Sequence, residues 1–285
     1  MSELTAPSQP STAPGSSWAS VTISAHVAEV TLTATGKGSR QGPAFWLEAP
    51  ALFGWLDAHP EVRVIVLRGG GEAFSHGLDL VGMSEDLASI STPGAGAKER
   101  TTLHELIVRM QRATSAIAAC RKPVIAAVHG WCIGAGLDII SACDVRLCSA
   151  DAKFSLREVK LAIVADMGSL ARLPGIIGQG ATRELALTGD DVDAARAKDL
   201  KLVSKVLPTP SELFAEAHAM AARIAANPPR VVEGVKQVLN VVSEREARAS
   251  LEYVAVWNSA FMPSNDLLES MGAFMERRAP AFSGT

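Results

Sequence analysis

Apolar and polar positions alternate in "VTISAHVAEVTLTA", from Val21, and the two alternating halves predict a pair of short strands joined by a tight turn. "AFWLEAPALFGWLDAH" changes to helical spacing and runs as far as Pro60. "VRVIVLRGGGEAFSHG" then reads as a buried strand running into a glycine-rich loop. The small, polar and aperiodic "SEDLASISTPGAGAKER", residues 84 to 100, predicts a mobile segment lying over a pocket as a lid. A helical pattern covers about 101 to 120. It is followed by the strand "KPVIAAVHG", the turn "WCIGAG", the helix "LDIISACD" and the strand "VRLCS". Beyond Pro208 three segments opened or separated by prolines are nearly all helical. The expected division is a disordered tail over 1–19, an α/β core over 20–208 and a helical region over 209–285.

A length of 285 residues suffices for one large domain with a helical appendage. Twenty-seven basic against 30 acidic residues leave a formal charge of -3, which carries no electrostatic footprint for nucleic acid or an anionic membrane. Cys120, Cys132, Cys143 and Cys148 show neither zinc-ligand spacing nor a disulfide framework, and are expected as buried, reduced thiols of a cytoplasmic protein. No apolar run reaches membrane-spanning length, and "MSELTAPSQPSTAPGSS" lacks the basic and apolar regions of a signal peptide.

Candidate chemistry gathers at two glycine-bearing turns, "FSHGLDL" at 74–80 and "GWCIGAGLDI" at 130–139, each following a predicted strand. Backbone N–H groups at a helix start suit an anionic oxygen. The full phosphate-loop and dinucleotide motifs are absent, which leaves an oxyanion hole as the other candidate. Three acids accompany these turns. Asp138 falls in the first turn of a predicted helix, where the helix dipole alone would explain it. Glu158 lies in the charged run "REVK", and Asp166 precedes "MGSLARL" as a helix N-cap or entry turn. Glu158 and Asp166 nevertheless bracket a mostly apolar stretch, where a carboxylate needs a partner or a task. His76 and His129 flank the turns without a serine or cysteine partner pattern and are expected to be structural.

Taken in order, "AFSHGLDL", "KPVIAAVHGWCIGAGLDIISACDVRLCSADAKFSLREVKLAIVADMGSLARLPGIIG" and "ELALTGDDVDAARAKDLKLVSKVLP" resemble the crotonase superfamily of enoyl-CoA hydratases and isomerases over about residues 20 to 280. The resemblance implies an α/β fold, a right-handed spiral of strand-strand-helix turns, with C-terminal helices that assemble homotrimers, often paired into hexamers. It implies an acyl-CoA substrate whose coenzyme A is part of the substrate, with no separate cofactor and no metal. The implied oxyanion donors are the backbone N–H groups of His76 and of Ala135, with Gly136 alongside, and Ser75 and Leu78 are the implied coenzyme A positions.

Hydratases of the superfamily carry glutamate at the positions of Asp138 and Glu158. The set Asp138, Glu158 and Asp166, together with "EYVAVWNSAFMPSNDLLESMGAFMERR", is similar instead to the 3,5-dienoyl to 2,4-dienoyl-CoA isomerases. By that resemblance Glu158 sits near carbon 2, Asp166 near carbon 6, and Asp138 orients or tunes Glu158. "TATGKGSRQGPAFW" departs from the family pattern at the adenosine end. There Lys37 and Arg40, or Arg277 and Arg278 from a neighbouring subunit, are candidates for the phosphates, with surface solubility as the alternative. Three other readings stay open: an enoyl-CoA hydratase, a 3-enoyl to 2-enoyl isomerase, and a non-catalytic acyl-CoA-binding scaffold subunit.

Overall fold

The computed structural model describes residues 13, 16–33, 38–88 and 94–284. Strands β1 (Ala19–Ser24) and β2 (Val27–Leu32) form an antiparallel hairpin, with Ala25 and His26 at positive φ as a two-residue turn of this hand requires. The first strand therefore begins inside the span expected as a tail. Trp18, packed edge-on against Phe45, is already buried. Most of the remaining tail lies outside the described residues.

Helix α1 (Pro43–Ala58) follows, then β3 (Val64–Gly69), α2 (Ser84–Ala88), α3 (Ala97–Ala119), β4 (Val124–Val128), β5 (Trp131–Ile133) and α4 (Ala135–Ser141). The chain continues through β6 (Val145–Ser149), β7 (Lys153–Ser155), a 3-10 turn (Glu158–Leu161), α5 (Ser169–Thr188), β8 (Asp191–Asp193), α6 (Ala194–Asp199) and β9 (Lys205–Leu207). It closes with α7 (Pro210–Ala225), α8 (Pro229–Phe261) and α9 (Asn265–Glu276).

A six-stranded sheet has the order β1-β2-β3-β4-β6-β9, parallel from β2 onward, and a three-stranded sheet has the order β5-β7-β8. The unbroken apolar runs of β3 and β4 are explained by burial on both faces. Ile65, Leu67, Val124 and Ala126 face α1 and α3, while Val64, Val66, Ile125 and Ala127 face Leu213, Ala217 and Ala221 of α7. Helix α7 thus covers the sheet, although it begins just beyond the boundary drawn at 208.

Bridges from Gly38 to Ala73 and from Ser75 to Cys132 align the segment after β3 with β5, as β5 aligns with β7. Each turn of the chain therefore gives one strand to the large sheet and one to the small layer. This is the expected spiral, and it brings the starts of successive loops side by side.

Two local expectations are corrected. Trp131–Ile133 is strand rather than turn, because parallel pairing with β7 engages it. The 84–100 segment is helical at both ends. Glu85 and Asp86 open α2, Arg109 pairs with Asp86 at 3.4 Å, and Glu99 accepts the Gly96 N–H at 3.0 Å to close the start of α3. Its centre, 89–93, lies outside the described residues, so the lid expected there is not described.

Candidate active site

The two glycine turns meet edge to edge. Ser75 donates its N–H to the Trp131 carbonyl at 2.9 Å and accepts from Ile133 N–H at 3.0 Å. Its hydroxyl donates to Gln41 Oε1 at 2.6 Å and accepts the Gly77 N–H at 3.0 Å. Fully buried and with these groups occupied, Ser75 fastens the two loops, which corrects its expected role as a coenzyme A contact.

His76 is corrected as well, because its backbone N–H donates to the Ser39 carbonyl at 2.8 Å and is not open to a ligand. Among the described residues the backbone N–H of Leu78 in this loop has no hydrogen-bond acceptor. Gln41 bridges to Leu78 through the Gly77 carbonyl and the Asp79 N–H, at 2.9 and 3.1 Å, so Leu78's own N–H points away from that pairing. In the second loop Ala135 and Gly136 are the first residues of α4, whose N–H groups have no preceding helical turn to bond. A Cβ on Gly77 would lie 3.1 Å from the Ile133 carbonyl oxygen and 3.9 Å from the Ala135 nitrogen, so glycine with φ +85° lets the loops approach this closely.

Glu158, on the 3-10 turn, reaches the second loop. A Cβ on Gly134 would lie 3.1 Å from its Oε1, and Oε2 is buried without a hydrogen-bond partner among the described residues. Burial comes first in raising the Glu158 proton affinity, followed by the charge of Asp138 and then that of Asp166. The solvated charge run that "REVK" suggested stops at its neighbours. Arg157 turns away to Asp191 at 2.7 Å and Lys160 to Asp190 at 3.7 Å.

Asp138 is buried in α4, and its Oδ1 accepts the Ser169 N–H at 2.7 Å. Burial raises its pKa, while the Ser169 bonds and the Arg172 charge oppose the rise. Arg172 lies on α5, pairs with Glu244 at 2.9 Å, and keeps Nη1 buried without a hydrogen bond among the described residues.

Asp166 is also buried, and it is not a helix N-cap; that position belongs to Gly168. Its Oδ2 accepts from Asn258 Nδ2 at 2.7 Å, and its carbonyl accepts from Gln111 Nε2 at 2.9 Å. Burial pushes the carboxyl up to about 7 against the Asn258 bond, and Asp138 adds like-charge repulsion. Three mutually repelling carboxyls, two on buried residues and one on the half-buried Glu158, therefore share one neighbourhood beside the paired loops, an arrangement suited to holding and moving protons near neutral pH.

Substituting Gly134→Ala would force a side chain onto a backbone at φ 51° and ψ -113° and against Glu158. A loss of about 1–3 kcal/mol is expected, read as a lower thermal midpoint by circular dichroism.

Asn258, Gln111, Arg172 and Ser169 are neighbours of the acids that sequence reasoning did not single out. Of the phosphate candidates, Lys37 lies outside the described residues. Arg40 is exposed and close enough to His76 to depress its pKa after burial has done so. Arg278 is engaged by Glu269 at 2.9 Å and Glu276 at 2.6 Å, and Arg277 ends α9 in the left-handed region. His129 serves structure, bonding the Gly71 carbonyl at 2.8 Å with its ring edge-on to Phe214. All four cysteines are buried and unpaired, and burial raises each thiol pKa.

The enoyl-CoA hydratase/isomerase family model matches residues 23–285. A peroxisomal Delta(3,5)-Delta(2,4)-dienoyl-CoA isomerase of Arabidopsis thaliana is 46% identical over 84% of this chain and 86% of its own length. A mitochondrial protein of the same name from Dictyostelium discoideum is 40% identical over 91% and 88%. The crystal structure of an enoyl-CoA hydratase from Mycobacterium avium subsp. paratuberculosis superposes with a TM-score of 0.81 at 27% identity, covering 94% of this chain and all of that one. With the spiral, the paired glycine loops and a match across nearly the whole chain, this protein belongs to the enoyl-CoA hydratase/isomerase, or crotonase, family.

Proposed function

We propose that this protein is an isomerase that converts 3,5-dienoyl-CoA to 2,4-dienoyl-CoA in fatty acid beta-oxidation. The observation that carries the reading is the gathering, beside the two glycine loops, of the buried Asp138 and Asp166 with the half-buried Glu158, whose Oε2 is shielded from solvent. One carboxylate removes a proton from carbon 2, and the electron pair spreads through the diene onto the thioester oxygen. A second carboxyl delivers a proton to carbon 6, so the substrate gains and loses one proton and its composition is unchanged. Backbone N–H groups of Leu78 and Ala135 stabilise the dienolate oxygen, each by about 3 kcal/mol. Glu158 serves carbon 2 and Asp166 carbon 6. Asp138, bonded to Ser169, acts through its charge on Glu158. Coenzyme A enters as part of the substrate, and no separate cofactor takes part.

Before substrate binds, the surroundings favour the shared proton on Glu158, whose Oε2 has no hydrogen-bond donor among the described residues, over Asp166, which accepts from Asn258. That is the state left after carbon 2 has been deprotonated. Each turnover on this assignment begins with the proton passing to Asp166. The test is direct: 3,5-dienoyl-CoA should develop the absorbance of a 2,4-conjugated thioester, and crotonyl-CoA should not lose its own by hydration. Rapid hydration without diene formation would overturn the reading.

The homotrimer or homohexamer belongs to the same proposal. Val231, Val235, Val238, Leu239 and Val242 lie exposed along one side of α8, an apolar stripe that a second copy would cover. Val238→Asp with Val242→Asp should reduce the assembly to monomer in sedimentation velocity while helicity is retained; a monomeric parent protein would refute it. No helix among the described residues is long and apolar enough to cross a membrane. The cytoplasmic placement expected from the sequence is part of this proposal and is tested by cell fractionation; the two relatives are named for the peroxisome and the mitochondrion.

A further inference from the structure

Asn258 is buried on α8, 92 residues from the carboxyl it touches. Its Nδ2 donates at 2.7 Å to Asp166 Oδ2 and at 2.8 Å to the carbonyl of Val164. A backbone carbonyl can only accept, so the second bond fixes the amide orientation. Turned over, the amide would set its oxygen against the Val164 oxygen and against a carboxylate. Asn258 can therefore donate to Asp166 but cannot accept from it at Oδ2.

We propose that Asn258 is a positioning residue of the proton-transfer site: its amide, locked by Val164, keeps Oδ2 of Asp166 as an acceptor and leaves Oδ1 as the oxygen that takes up and releases the proton. The inference rests on the proposed isomerisation. Other groups bear on Asp166, beginning with its own backbone N–H, which also bonds the carboxyl. Asp138 on α4 and Glu158 on the 3-10 turn repel its charge, and Arg172 on α5 bears on Asp138 while paired to Glu244 of α8. Gln111 on α3 holds only the main-chain carbonyl of Asp166, sharing its Nε2 with the Leu251 carbonyl at 3.0 Å.

This division supplies the control. A bond to a charged group favours the ionised form, so Asn258→Leu should raise the proton affinity of Asp166, the first of the pair to ionise in the substrate-free protein, and carry the acid limb of the kcat/KM profile upward by about one pH unit or more. It should lower kcat about tenfold with little change in KM. Gln111→Leu loosens the same segment but leaves the carboxyl bond, so it should lower activity without moving the limb. An unmoved limb in Asn258→Leu, or an equal displacement in both variants, overturns the inference. A wild-type protein that does not convert 3,5-dienoyl-CoA instead overturns the reaction itself.

A second measurement serves if Asn258→Leu fails to fold. Infrared difference spectra of the wild-type protein, assigned through Asp166→Asn, should show protonated Asp166 with a carbonyl stretch lowered by the bond its Oδ2 accepts from Asn258. A stretch at the frequency of a carboxylic acid without a hydrogen bond would refute the proposal.

Discussion

Asp166→Asn is expected to lower kcat for 3,5-dienoyl-CoA isomerisation about a thousandfold or more, with an unchanged circular dichroism spectrum and an unfolding midpoint no lower than that of the parent protein. The substitution keeps the volume, and the new side-chain oxygen can still accept from Asn258 Nδ2, now 2.7 Å from Oδ2, so the α8 contact survives. Only the exchangeable proton is lost. With the Asp166 charge gone Glu158 gives up its proton to solvent more readily and can still deprotonate carbon 2, so the variant should wash deuterium from solvent into carbon 2 faster than it forms product. Measured together, product formation and exchange separate the two transfers. Near-normal product formation would remove Asp166 from the mechanism.

The fold was legible where burial leaves a long signature. The continuous apolar runs of β3 and β4 reflect a sheet covered on both faces, and prolines marked the entries of α7 and α8. Three-residue strands carry no comparable signature, which is why Trp131–Ile133 reads as a turn in the sequence although parallel pairing with β7 makes it a strand. The three acids were also legible, as residue types out of place, but their surroundings were not. Whether His76 or Leu78 offers an open N–H depends on Ser39 and Gln41, more than thirty residues earlier in the chain. Asn258 lies within "EYVAVWNSAF" as an ordinary polar residue among helix formers, and only the return of α8 over the site brings it to Asp166. Glu158 looked solvated because its charged neighbours are. The 3-10 turn sends Arg157 and Lys160 outward and the carboxylate inward.

Glu158→Gln should lower kcat by a similar factor and at the same time make the protein more stable at alkaline pH. The sign follows from the raised proton affinity of Glu158 in the folded state. Below its usual pKa of 4.5 both folded and unfolded chains hold the proton, and the group costs no linked free energy. Above that value the unfolded chain releases the proton while the folded chain retains it, so folding must hold a proton that solvent increasingly takes. Stability therefore falls as pH rises toward the folded-state value, and Asp166, raised to about 7, adds to the slope. A glutamine cannot ionise and removes the Glu158 share. Urea unfolding should give nearly equal stabilities for parent and variant near pH 5, and an advantage for the variant on the order of 2 kcal/mol near pH 8. If the two proteins lose stability in parallel across that range, Glu158 is ionised at no cost in the folded chain. It would then lack the buried setting that makes it able to exchange a proton with carbon 2.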